Sequence, residues 1–181
     1  MKNRGLIILD KLVYDGFYKV WKTEVKIKGV KKTYEKVDIR SGVGGLVTDE
    51  DGKICLVTQY RIGPGKSIKE IPAGIIDKKL TNKEILIEEL FEECEIDKND
   101  IMYISENPIL SYYMISGGSD CKLEIYEVKV KKQHNKIVDD VDVEMVEWIT
   151  DKQFDELVEN GEIVDNKTLL SYYYMKNKKR V

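Results

Sequence analysis

A single histidine, His134, and three cysteines, Cys55, Cys94 and Cys121, are all that this chain of 181 residues has of either type. One imidazole excludes any site built on several, most zinc hydrolases among them. His134 lies in the polar stretch KKQHNK and reads as part of a solvated loop. It would allow a Ser-His-Asp triad, but no nucleophile-elbow sequence accompanies it. Cysteines odd in number and far apart in sequence do not make a disulfide framework, and they favour a reducing compartment, with the cytoplasm as the expected address. No apolar run approaches the ~20 residues of a membrane span. The opening MKNRGLIILDKLVYDG meets Asp10 and Lys11 too early for a signal peptide. A charge excess is missing too. With 30 basic and 33 acidic side chains the net charge is −3, which argues against nucleic acid and anionic membrane as partners.

What remains is a chain with 42% apolar residues, enough for a core, at a length that suits one globular domain with a small appendage. Residues 1–61 are β-rich. Leu6–Val13, Val20–Lys28, Thr33–Ile39, Val43–Thr48 and Ile54–Tyr60 read as strands, the last two joined by the hairpin turn DEDG. A Gly/Pro loop, Arg61–Ser67, leads to the short extended piece Glu70–Gly74. Thr81 and Glu84 have capping-box spacing in front of a helix whose periodicity runs over Ile85–Cys94. Strands follow at Ile101–Ser105, Lys122–Lys131 and Val141–Ile149. Two helices close the chain, Asp151–Asn160 and Lys167–Lys176, the latter capped from Asp165 or Asn166. The pattern predicts an α/β layered domain with a mixed sheet.

One helix concentrates charge. Glu84, Glu88, Glu89, Glu92, Glu93 and Glu95 fall within twelve residues, with no Lys or Arg among them. On a helical wheel Glu89, Glu92 and Glu93 share an arc of about 100°. Leu86, Ile87, Leu90, Phe91 and Cys94 occupy the opposite arc, which is expected to be buried. Like charges at i,i+3 and i,i+4 each cost a few tenths of a kcal/mol, so such a face calls for a cation or is simply solvated. Mg²⁺ suits the first reading, since it takes oxygen ligands from carboxylates and substrate phosphates.

From Gly74 to Ile96 the sequence resembles the Nudix box, G-x5-E-x7-R-E-U-x-E-E-x-G-U, without a gap. Glu89, Leu90, Glu92, Glu93 and Ile96 match. Leu80, Glu88 and Glu95 stand where the box has Glu, Arg and Gly. Upstream, ICLVTQYR (Ile54–Arg61) and EIPAG (Glu70–Gly74) resemble the ADP-ribose pyrophosphatase branch of that family, and so does GEIVDNKTL (Gly161–Leu169) near the end.

This resemblance implies a Nudix fold, a mixed sheet sandwiched between helices, over residues 41–181. It also implies an N-terminal β-rich segment, 1–40, that serves homodimer formation. The implied activity is Mg²⁺-dependent (or Mn²⁺-dependent) hydrolysis of the pyrophosphate in a nucleoside diphosphate sugar resembling ADP-ribose. Glu89, Glu92, Glu93 and the Ala73 carbonyl would hold the metal, with Glu92 and Glu93 also catalytic. Arg61 would fork a phosphate, and Glu70 would hold substrate hydroxyls or an opposing basic group. Asp120, in the loop SGGSD, stands nearest to the family's general base, whose own position holds Cys121. Without the box glycine the helix is expected to end differently or run on. The three departures leave a second reading open, a Nudix-fold module that binds a nucleotide or a protein without efficient turnover.

Overall fold

In a computed structural model the chain is described over residues 6–137 and 142–178. Eleven strands and three helices follow one another as β1 (Leu6–Asp15), β2 (Lys19–Ile27), β3 (Val30–Asp38), β4 (Gly42–Thr48), β5 (Ile54–Arg61), β6 (Lys66–Glu70), β7 (Ala73–Ile75), α1 (Asn82–Cys94), β8 (Ile101–Ile104), β9 (Leu110–Tyr113), β10 (Lys122–Val130), β11 (Val143–Ile149), α2 (Asp151–Glu159) and α3 (Asn166–Lys178). Strands β6 and β9 were not foreseen. Val141, the expected first residue of the last strand, lies outside the described residues. No described helix is long and apolar enough to cross a membrane.

The described residues form two compact units, one within Met1–Ser41 and Tyr112–Lys122, the other within Gly42–Ser111 and Leu123–Val181. In the first, β1, β2 and β3 make an antiparallel sheet. The loop after β9 is fastened to it by Val37 N–H donating to the Gly118 carbonyl at 2.7 Å and by Lys36 lying 3.6 Å from Asp120.

The second unit holds a mixed sheet in the order β11-β5-β4-β10-β8, with β6 and β7 added on β5 and β4. The pair β10–β4 is parallel and the others are antiparallel. Strand alternation sorts the core. Val43, Val47, Cys55, Val57, Tyr126, Val128 and Val130 pack with Ile85, Leu86, Leu90 and Cys94 of α1. On the opposite face Glu127 of β10 receives Lys178 of α3 at 2.7 Å, so the sheet lies between α1 and α3. The cysteines remain free thiols, although Cys55 and Cys94, distant in sequence, bring their sulfurs to 3.7 Å inside this core.

Helix α1 begins as its capping box dictates: Thr81 Oγ1 accepts from Glu84 N–H, and Glu84 Oε2 accepts from Thr81 N–H at 2.7 Å. Its other end departs from expectation. The helix stops after Cys94 because Glu95 itself adopts the left-handed conformation, φ 50°, ψ 35°. The N–H groups of Glu95 and Ile96 donate back to Phe91 and Leu90 carbonyls at 2.9 and 3.0 Å, and Lys136 Nζ holds the Glu95 carbonyl at 3.3 Å. These bonds and the buried Ile96 impose on a glutamate the shape a glycine would take freely. Left-handed backbone costs an L-residue about 1–2 kcal/mol, part of which glycine returns as unfolded-chain entropy. Glu95→Gly is therefore expected to raise the urea-unfolding stability by about 0.5–1 kcal/mol.

Candidate active site

The acidic helix buries Leu86, Leu90 and Cys94 of the expected face, but its buried side is turned from Phe91 toward Glu93. Phe91 is 59% exposed, whereas Glu93 is only 8% exposed. The wheel gave the arcs but not their centre, and the centre is moved by a backbone donor that satisfies an acid. Ala73 N–H donates to Glu93 Oε2 at 3.0 Å, while Gln59 Nε2 approaches Oε1 at 3.5 Å. Burial pushes the Glu93 carboxyl up to about 7, against the lowering effect of the Ala73 N–H.

Glu89 lies against the backbone of Gly74, so close that a Cβ there would fall 1.9 Å from the carboxyl carbon. The first glycine of the motif is thus the bed of its first matched glutamate. Burial, and then the neighbouring Glu92 charge, raise the Glu89 carboxyl as well. Glu92 is on the exposed flank, 4.0 Å from Lys78, whose Nζ also pairs with Glu88 at 2.6 Å. From Glu84 to Glu95 there is no base, but the loop before the helix brings one to these acids, and Glu88 is tied up in that pair.

Arg61 and Glu70, read from sequence as substrate-binding, face each other. Arg61 forks Glu70 through Nε and Nη2, both at 2.7 Å, and the Lys167 ammonium contacts the same carboxylate. Of the alternatives for Glu70, the opposing basic group is present twice over. Burial pushes the Glu70 carboxyl up, but the bonds and charges of Arg61 and Lys167 more than offset it and hold it below the usual range. The C-terminal motif now acquires roles. Asp165 Oδ2 accepts from Thr168 N–H at 2.9 Å and so caps α3, Lys167 meets Glu70, and Thr168 Oγ1 accepts from Ile71 N–H at 2.9 Å. Helix α3 therefore fastens the segment that delivers Ala73. Asp120 belongs to the other compact unit, where its exposed carboxylate faces Lys36.

Sequence reasoning assigned nothing to Gln59, Lys78 or Lys167. Alternation along β5 and the D-x-K-T spacing were available as signals for the first and last. Lys78 gave none.

As placed, no three His, Cys, Asp or Glu side chains among the described residues are gathered closely enough to hold a metal ion. The donors themselves fit a hard divalent cation: three carboxylates and a peptide carbonyl, all oxygen, beside a glycine cradle that admits Glu89.

The sheet, its flanking helices and this helix-borne acidic group define a class. A family model described as NUDIX domain matches residues 38–170, and the chain belongs to that family. It is 30% identical over 139 residues to the ADP-ribose pyrophosphatase of Bacillus subtilis (strain 168), covering 75% of this chain and 72% of that protein. To the methanol dehydrogenase activator of Bacillus methanolicus it is 29% identical over 136 residues, covering 74% and 70%. A crystal structure described as an ADP compounds hydrolase superposes with a TM-score of 0.77 over 98% of this chain and 95% of that one. At 16% identity, that likeness concerns the fold.

Proposed function

We propose that the chain hydrolyses the pyrophosphate of a nucleoside diphosphate joined to a sugar, of the ADP-ribose kind, releasing a nucleoside monophosphate and a sugar phosphate. The observation that carries this is the pair Glu89 and Glu93, held against the Gly74 and Ala73 backbone with both carboxyls raised above their ordinary range. Glu89, Glu92, Glu93 and the Ala73 carbonyl would hold Mg²⁺ or Mn²⁺, which when bound draws charge from pyrophosphate oxygens and makes water a better nucleophile. Asp120 would serve as the general base toward the attacking water, or failing it Glu92, which is exposed beside the other two carboxylates. Arg61, half-exposed beyond its pair with Glu70, offers the guanidinium edge that a phosphate can meet.

Incubation with Mg²⁺ or Mn²⁺ and a panel of nucleoside diphosphate sugars, with nucleoside monophosphate release as the readout, tests this. Turnover well above that of Glu93→Gln is expected. Rates equal to that variant for every substrate would leave the non-catalytic binding module, the reading favoured by Glu88 being paired with Lys78 rather than bracing its neighbours.

The homodimer also belongs to this proposal. Leu6, Ile7, Leu9, Val13 and Tyr14 of β1 and Phe17 of the turn after it are exposed, large apolar side chains of the sort that association covers. Sedimentation velocity at micromolar concentration is expected to give a dimer, and a monomer would refute it.

A further inference from the structure

Gln59 is held from both sides, opposite Ile68 of β6 and Val143 of β11. Alternation with Cys55 and Val57 puts its side chain on the α1 side of the sheet, where it is 7% exposed. An amide buried so fully is costly unless both its ends are paired. Here only one is: Nε2 reaches Glu93 Oε1 at 3.5 Å, and Gln59 Oε1 is buried with no hydrogen-bond partner. Packing gives no reason for glutamine, since methionine would fill the same space without an orphan oxygen. The other oxygen of Glu93 accepts from Ala73 N–H at 3.0 Å. The backbone therefore fixes one carboxylate oxygen and the amide stands over the other at the long end of hydrogen-bond distance, so that two donors bear on the plane of the group as well as its place.

We infer that Gln59 is a positioning residue, which together with the Ala73 N–H fixes the carboxylate of Glu93 in the orientation that a divalent cation at α1 requires. This rests on the hydrolase reading above and adds to it the residue that aims the buried acid. Glu88 stands at the helix position next to Glu89 and is turned to Lys78, so the support for Glu93 comes from the sheet.

The decisive experiment is a Mn²⁺ titration of the whole chain, reading free Mn²⁺ by electron paramagnetic resonance, for the parent and for Gln59→Met. The variant is expected to lose about 10–100-fold in Mn²⁺ affinity, the usual effect of removing a hydrogen bond behind a ligand. Its thermal midpoint without metal should be unchanged or higher, because the orphan oxygen is gone. At saturating Mn²⁺ its kcat should fall while KM for the nucleotide stays within about twofold, a split that a general loss of structure would not give. Mn²⁺ affinity and kcat both equal to the parent's would overturn the inference while leaving the hydrolase reading intact. A parent chain that takes up no Mn²⁺ would overturn both. Should Gln59→Met not fold, the parent decides alone. The ¹⁵N and ¹H signals of the Gln59 side-chain amide must shift on Mg²⁺ addition and saturate together with the Glu93 carboxyl ¹³C signal, and amide signals indifferent to Mg²⁺ would overturn the inference.

Discussion

Replacing Glu70 with alanine is expected to lower the stability of the protein by about 3–5 kcal/mol, the range for removing one partner of a buried ion pair. Glu70 is 2% exposed and faces two cations, the forked Arg61 and the Lys167 ammonium, itself almost fully buried. Without the carboxylate, Lys167 keeps only Asp165 at 3.3 Å, and a buried ammonium is left short of charge and acceptors. Urea unfolding at neutral pH is the measurement. The pH dependence has a definite sign. The folded-state pKa of Glu70 is depressed, so its stabilisation is present above the unfolded carboxylate range and is lost as pH falls through the folded value. The gap between parent and Glu70→Ala should therefore narrow in acid. Lys167→Met should be milder, because the Arg61–Glu70 fork remains. A loss below about 1 kcal/mol for Glu70→Ala would mean that these groups are effectively solvated.

Glu93→Gln is expected to act in opposite directions on stability and turnover. A carboxyl moved from its ordinary 4.5 to about 7 by burial penalises the charged folded form by on the order of 3 kcal/mol at alkaline pH. Here the folded pKa is raised, so the folded chain holds a proton that the unfolded chain has released between those values, and stability declines as pH rises across that window. Glutamine is never charged and keeps an acceptor for Ala73 N–H. Without metal the variant should match the parent near pH 4.5, gain steadily over it up to pH 7, and keep that advantage at pH 8, as followed by thermal unfolding. On the proposed function the same change should cut turnover by about 10²–10⁴-fold, the range of a positioned acid–base group, and abolish stabilisation by Mg²⁺. A parent whose stability is flat between pH 5 and 8 would show that Glu93 is better solvated than its burial implies.

The two variants also show which parts of the site could be read from residues alone. The capping box placed the start of α1 because Thr81 and Glu84 are three positions apart and bond each other locally. The match from Gly74 to Ile96 placed the carboxylates, because glycine spacing and helix register are likewise local. Every feature that escaped depends on which surfaces meet. Alternation assigns Gln59 to a face of β5, yet nothing in β5 says that Glu93 lies opposite. Arg61 ends a strand as an ordinary exposed arginine would, and only the fold supplies Glu70 and Lys167 together. Phe91 looked like core because the wheel counts apolar residues, whereas burial followed the backbone donor at Ala73.

The hydroxyl of Thr168 on the Ile71 N–H joins residues 97 positions apart. A ribosome releases the acidic helix and the turn before it long before α3 exists, at roughly 5–20 residues per second. Until then the amide of Ile71 lacks its acceptor and Glu70 lacks Lys167. The carboxylates are thus made about midway along the chain, and the segment that orders them, already paired with β4 and β5, gains its last ties only from α3. Any nascent chain that stops before Asp165 carries the acids without the latch, and for a protein proposed to act on nucleotide pyrophosphates this keeps an incomplete copy from having a finished site.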